Sequence, residues 1–409
     1  MVIKDIISAK VGQQKIPTNY ISRDLSWVKF NRRVLDQCKN TSRNIFDRLK
    51  FLAITSSNLD EFFQIRVGSL YNYLDYGKER IDYSGLREVA FKRILFQDVQ
   101  DFCKDQLDVY NELKPEFEKN DFHIINSEDQ LSEDESDLIK SYFKRTIFPM
   151  LTPMSYDNHH SFPIMMNKLM VFGVVSINRS IVGEQKRLTL VQIPQNIPRF
   201  FEIEREDSIL FIPVQEIVRW NIQKLFRNVE LLSVDLFRIT RNGDFSVEES
   251  DDIDEAFIDE IKKKIKTRKT ARVVRIEIEE NYSKWMMKIL MERYKIDESN
   301  IFLNSSLMDF TCLWQIVNHP DFKEYQHKLL PPVNPLAFPT IDESFNLLKY
   351  LQKNDVLLHH PFNDFKYVIE LLEQAAEDSG VLAIKITIYR LAKNSRITNA
   401  LLKAAENGK

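Results

Sequence analysis

Ser57-Asn58-Leu59-Asp60-Glu61-Phe62-Phe63 reads as a helix start that runs into two aromatics. Asn58 stands at an N-cap position and Glu61 three residues later, the reciprocal pattern of a capping box. Ser56-Ser57-Asn58 therefore predicts a break, after which Phe62, Phe63, Ile65 and Leu70 carry a new helix. Upstream, residues 44–55 read as a helix with Phe46, Leu49, Phe51 and Leu52 mostly apolar. Before that, Ser26 is a good N-cap, and Trp27, Phe30, Val34 and Cys38 recur at helical spacing. Downstream, residues 86–119 form one long helical pattern with Phe91, Leu95, Val99, Phe102 and Leu113 on one side. Residues 1–120 are therefore expected to be all-helical behind a loose leader over 1–19. Phenylalanine faces at this spacing are expected to be core rather than ligand site.

Beyond residue 120 the texture changes. Ser132-Glu133-Asp134-Glu135 is a second capping box, opening a helix to about residue 148. Strand-like runs follow at 168–177, 187–193, 209–213, 230–240 and 271–279, with helices expected at 214–226, 253–266, 283–294 and 307–317. Residues 121–330 thus read as an α+β domain. Prolines 331, 332, 335 and 339 make a stiff linker. Residues 331–409 then alternate strand (355–359), helix (364–376), strand (381–389) and helix (395–407), the pattern of a parallel α/β sheet. Val381-Leu382-Ala383-Ile384-Lys385-Ile386-Thr387-Ile388-Tyr389 is apolar on both faces at most positions, as an internal parallel strand should be. Gly408 is expected just past the last helix.

Composition narrows the function. Of 409 residues only 9 are glycine, where an average chain would hold roughly 29. Neither a dinucleotide-binding G-x-G-x-x-G nor a P-loop is present. Phosphate must be held by side chains, metal or helix N-termini. A net charge of −3 gives no global bias towards nucleic acid or anionic membrane. Three cysteines lie far apart and favour a reducing compartment. The longest apolar run, 169–177, has strand length, and no apolar signal segment separates Lys4, Lys10 and Lys15. The expected location is cytoplasmic, with peripheral attachment at the inner membrane left open.

Several residues could carry chemistry. Arg390 closes a predicted strand beside the start of the last helix, where a guanidinium and free N–H groups suit a phosphate. An ordinary ion pair fits the same residues. Asn58 offers an amide donor and acceptor to a nucleobase, although the local pattern favours the cap. His359 and His360 lack a third metal ligand, and Asp157-Asn158-His159-His160 reads as a proline-bounded loop. The basic run at 262–269 suits a polyanion or a solvated helix end equally well.

Three N-terminal motifs carry a resemblance. They are Asp24-Leu25-Ser26-Trp27-Val28-Lys29-Phe30-Asn31, Arg48-Leu49-Lys50-Phe51-Leu52-Ala53-Ile54 and the 57–63 stretch. All three are similar to the N-terminal domain of the large, histidine-phosphorylating polyphosphate kinase family. Leu151-Thr152-Pro153 and Arg238-Ile239-Thr240-Arg241-Asn242 resemble its middle domain. Residues 358–361, Ala383 to Arg390 and Ala404 to Gly408 resemble the start of its first C-terminal domain. The resemblance implies a fold of a helical nucleotide-contacting domain (1–120), an α+β dimerisation domain (121–330) and the opening of a phospholipase-D-like α/β domain (331–409). It implies a kinase, a transferase that passes the terminal phosphate of ATP reversibly to a phosphohistidine and on to polyphosphate, with Mg2+. ATP or ADP and inorganic polyphosphate would be its small partners, and a homodimer or higher homo-oligomer its assembly, with no nucleic acid and no transmembrane segment. Carried over by motif, Asn58 contacts adenine, and Arg390 lies at the phosphate and magnesium site. The family's His-x-Lys element matches none of the seven histidines. The 409-residue chain alone is therefore expected to be inactive. The alternative is an inactive dimerising or nucleotide- and polyanion-binding fragment.

Overall fold

The first helix, α1 (Arg23–Asp36), begins one turn before the expected cap. Buried Ser22 accepts the Leu25 N–H at 3.4 Å, while the Ser26 hydroxyl donates back to the Ser22 carbonyl at 2.8 Å. Both serines are chemically able to cap. Ser22 does so because it also donates to Asp82, which anchors the entry of the chain. The computed structural model describes residues 18–75, 81–156, 162–177, 186–243, 271–323, 334–336, 346–388, 391–392 and 395–409. It divides into two units, Met1–Gln326 and His327–Lys409.

The break expected at Ser56-Ser57-Asn58 does not occur. Helix α2 runs unbroken over Ile45–Phe62, capped by the Asn44 side chain on the Asp47 N–H. Within it, Thr55 and Ser57 turn their hydroxyls back onto the carbonyls of Leu52 and Ala53, at 2.7 and 3.2 Å. These side chains satisfy themselves inside the helix and leave its backbone ladder intact. The irregularity comes later, as a single π turn over Phe63–Val67, before α3 (Gly68–Asp75). The long helix α4 spans Glu88–Leu113. Most phenylalanines on these helices are core, as expected, although Phe30 on α1 is 46% exposed. Phe46, Phe62, Phe63, Phe91, Phe96 and Phe102 are all buried in one apolar cluster. That cluster extends into the sheet region through Phe122, Phe211 and Phe302.

The Ser132 capping box is present and opens α5 (Glu133–Tyr142). All five strands expected within 121–330 form: β3 (Met170–Ile177), β4 (Lys186–Gln192), β6 (Ile209–Pro213), β7 (Glu230–Arg241) and β8 (Val273–Ile278). Four short strands had no sequence signal: β1 (Phe122–Ile124), β2 (Pro153–Tyr156), β5 (Phe200–Glu204) and β9 (Ile301–Leu303). Six strands pair in the order β2-β4-β3-β7-β8-β9, and three in the order β1-β6-β5. Helix α6 (Val214–Asn221) follows β6, α7 (Lys284–Tyr294) packs on the larger sheet, and α8 (Leu313–Val317) adjoins α2. The helix expected at 253–266 lies outside the described residues.

Alternation sorts the two faces of the β7–β8 pair. Phe237, Ile239, Ile276 and Ile278 enter an apolar cluster with Met286 of α7. Gly173 on β3 makes room for that methionine, since a Cβ there would stand 2.1 Å from the Met286 sulfur. The opposite face carries Arg238 and Thr240 on β7 against Glu277 and Arg275 on β8, paired in register. It is this charged face that meets α2.

The second unit contains α9 (Leu347–Leu351), α10 (Lys366–Glu377) and α11 (Arg396–Glu406). Helices α10 and α11 pack through Leu372, Ile397 and Ala400. Gly408 adopts φ +81 after α11, as a helix-ending glycine does. The strands expected at 355–359 and 381–389 are not formed among the described residues. Leu357 is 93% exposed and Leu382 85%. Apolarity on both faces shows where such side chains would be at home. A strand also needs backbone donors and acceptors alongside it, and here no ladder partner meets either segment. The unit is helical and irregular, within a chain that as a whole is multidomain α+β.

Candidate functional site

Asp60 lies on the last turn of α2, on the side facing β7 and β8. Its Oδ1 accepts from Arg238 Nη2 at 2.6 Å and also from Arg275 Nη2. Arg238 Nε donates to Glu277 Oε2 at 2.7 Å, and its Nη1 stands 3.0 Å from Asp309 Oδ2. Arg275 donates from Nε to Thr240 at 3.1 Å and lies over the Phe63 ring at 4.6 Å. The Arg238 guanidinium is thus gripped by three carboxylates from three separate segments, with its side chain 1% exposed. Isolated buried charges are very costly; this geometry offsets the cost through charge-assisted bonds.

Beside the network opens a cleft of about 440 Å³. Ser57, Asp60, Glu61 and Gln64 form one wall, and Lys168 to Met170, Ile193 to Gln195 and Arg199 form the other. Arg238, Asp309 and Thr311 lie on its floor side, in contact with the network. Lys168 holds a positive φ of 62°, a conformation costing a lysine about 1–2 kcal/mol. Its N–H bonds the Ile239 carbonyl at 2.9 Å, and its ammonium stands 3.7 Å from Asp60 at the cleft. Such local strain is common where a side chain must be aimed.

Asp309 sets a pH dependence. Burial alone would raise its carboxyl. Arg238 and Arg199 beside it, and donation from Thr311, outweigh burial and hold it well below the usual carboxylate range. A depressed folded pKa contributes stability above the unfolded value of about 3.9, and that contribution is lost as pH falls below it. Asp309→Asn is therefore expected to flatten the fall in stability between about pH 4 and pH 2, relative to the parent. Urea midpoints across that range check this, and parallel pH slopes in the two proteins would refute it.

Asn58 lies near the cleft but does not line it. Half-buried on α2, it donates to Asn31 Oδ1 at 3.0 Å, and Asn31 in turn donates to the Thr55 carbonyl at 3.1 Å. Its amide retains a carbonyl oxygen and a second N–H for a ligand. Nearby, Trp27 stacks on Phe62 with centroids 4.1 Å apart. Asn58 is a helix-interior residue and not the N-cap that its local pattern suggested. Arg390 lies outside the described residues, as do residues 157–160 and the basic run at 262–269. His359 and His360 have local roles. The His359 N–H donates to Asn363 Oδ1 at 2.8 Å, and the His360 ring lies 3.0 Å from the Asn363 carbonyl.

Among the described residues no three His, Cys, Asp or Glu side chains converge as a metal site. The cleft carboxylates Asp60 and Asp309 are engaged by guanidinium groups and do not form a free ligand set for Mg2+. No described helix is long and apolar enough to cross a membrane. Sequence reasoning missed the charge network altogether. Its trace was the period-two pairs Arg238-x-Thr240 and Arg275-x-Glu277, interleaved with apolar Phe237, Ile239, Ile276 and Ile278.

Known proteins bear on this arrangement. Residues 20–125 match the polyphosphate kinase N-terminal domain, 134–316 the polyphosphate kinase middle domain, and 346–409 the polyphosphate kinase C-terminal domain 1. A polyphosphate kinase of Halalkalibacterium halodurans is 34% identical over 397 residues, covering 96% of this chain and 56% of the relative. One from Campylobacter jejuni subsp. doylei is 32% identical over 403 residues, covering 97% of this chain and 56% of the relative. The chain thus spans a little over half the length of these relatives. The crystal structure of polyphosphate kinase from Porphyromonas gingivalis matches with a TM-score of 0.72 at 22% identity, over 96% of this chain and 55% of that one, a likeness of fold. With three successive domains matched in order along it, the chain belongs to the polyphosphate kinase family.

Proposed function

We propose that this chain carries the nucleotide-contacting and structural part of an enzyme that moves the terminal phosphate of ATP reversibly onto polyphosphate through a phosphohistidine. The observation that carries the reading is the unbroken order of the three domain matches. The boundaries between them support a division into 1–120, 121–330 and 331–409. On this reading Asn58 contacts the adenine through its uncommitted amide groups, and Arg390 serves the phosphates. Mg2+ arrives with the nucleotide. Three cysteines without a disulfide support a reducing, cytoplasmic setting. Resemblance to a dimer-building middle domain supports self-association, which light scattering reads directly.

The chain is expected to bind ATP, and Asn58→Ala to weaken that binding about tenfold, the scale of one lost hydrogen bond to a ligand. Calorimetric titration of both proteins measures this; equal affinities would remove Asn58 from the adenine site. With ATP and Mg2+ the chain alone is expected to form no acid-labile phosphohistidine, because no histidine stands in a His-x-Lys element.

A further inference from the structure

Three side-chain amides and one threonine form a chain of hydrogen bonds across α4, α2 and α1. Gln106 of α4 donates from Nε2 to the Thr55 hydroxyl at 2.8 Å, and that hydroxyl donates to the Leu52 carbonyl at 2.7 Å. The Thr55 carbonyl accepts from Asn31 Nδ2 at 3.1 Å, and Asn31 Oδ1 accepts from Asn58 Nδ2 at 3.0 Å. Gln106, Thr55 and Asn31 are buried, the last two completely. Asn58 is half-buried and ends the chain at the surface of α2.

The two ends of an amide are told apart by what they face. A carbonyl only accepts, so Asn31 turns its NH2 to Thr55. Asn31 Oδ1 is thereby aimed at Asn58, which must answer with its own NH2 and turn its oxygen away. A flipped Asn58 would set two carbonyl oxygens against each other and leave the buried Asn31 acceptor unsatisfied, which costs more than a hydrogen bond gains. Among the described residues nothing donates to Asn58 Oδ1, and the atom is not enclosed. A free asparagine amide can rotate to meet either a donor or an acceptor. This one is fixed from behind, with its acceptor outward. The difference matters at position 6 of a purine, where adenine carries an amine that donates and a 6-oxo purine carries an oxygen that accepts.

We propose that Asn31 is a positioning residue that holds the Asn58 amide with its oxygen outward, and that the pair thereby selects a 6-amino purine over a 6-oxo purine. The proposal rests on the reading that Asn58 contacts the base. To that reading it adds the direction of the hydrogen bond and the buried residue that sets it.

The test compares ATP with ITP, whose base carries an oxygen in place of the amine, by calorimetric titration into the full 409-residue chain. The parent is expected to bind ATP about tenfold more tightly than ITP, the scale of one hydrogen bond. In Asn31→Leu the Asn58 amide is free to turn, so ITP is expected to gain on ATP and the ratio to fall towards one. General damage to the helix pair would weaken both nucleotides together and leave the ratio unchanged. Asn31→Asp still offers Asn58 an acceptor and is expected to keep the preference. If Asn31→Leu fails to fold, Asn58→Ala at its half-buried position decides, with ATP expected to fall to the level of ITP. Equal affinities of the parent for ATP and ITP, or the parental ratio in a folded Asn31→Leu or in Asn58→Ala, would overturn the proposal. ATP affinity separates this from failure of the underlying reading. ATP binding weakened by Asn58→Ala without any parental preference removes the proposal alone. Unchanged ATP binding in Asn58→Ala, or no ATP binding by the parent, removes the reading and the proposal together.

Discussion

Asp60→Ala is expected to destabilise the chain by about 3–5 kcal/mol, the scale of a buried ion pair broken on one side. The substitution removes the carboxylate shared by Arg238 and Arg275 and leaves both guanidiniums in place. Arg238 keeps Glu277 and Asp309, but Arg275 keeps only Glu277 and the Thr240 hydroxyl among its described polar partners. The loss therefore falls mainly on Arg275, which cannot shed its charge and is fully buried. Equilibrium urea unfolding gives the measurement. A loss under about 1 kcal/mol would show that the network contributes little, as exposed ion pairs do. Asp60→Asn is expected to cost less, because an amide still accepts one hydrogen bond.

Phe63→Ala is expected to cost about 3–5 kcal/mol by opening a core cavity. Phe63 is fully buried, lies edge-on to Phe302 at 5.2 Å, and packs near Phe96 at 5.9 Å. It also forms the floor beneath the Arg275 guanidinium. Its removal therefore combines lost apolar burial with a loosened charge network, and Phe63→Leu should recover most of the stability. In a double-mutant cycle with Asp60→Ala the two losses should not add, since both act on Arg275. Strict additivity would separate the aromatic core from the charged face.

Much of the fold was legible because its signals are local. The strands at 209–213 and 230–240 announce themselves through β-branched and aromatic residues at short range. The Ser132 capping box is a matter of four successive residues, and it appears as expected. Local signals failed where two outcomes were locally equivalent. Ser22 and Ser26 can both cap α1, and contact with Asp82 selects Ser22. Ser57 and Asn58 can start a helix or lie inside one. The long-range bond from Asn58 to Asn31 accompanies the second outcome. In residues 381–388 the apolar pattern is genuine, yet a pattern cannot provide the neighbouring strand that would make it a sheet.

The candidate site divides the same way. The kinship carried by the 57–63 motif was readable from the chain, because motif and spacing are properties of neighbouring residues. The cleft was not. Asp60 meets Arg238 across 178 positions and Arg275 across 215. Charge pairing depends on distance through space, which no local period encodes. The amino-acid sequence by itself determined the longer helices, the five longer strands, most core-facing aromatics and the kinship. The tertiary structure alone decided that charges on two strands face inward to α2, because only packing removes water and turns a polar strand face into a buried network.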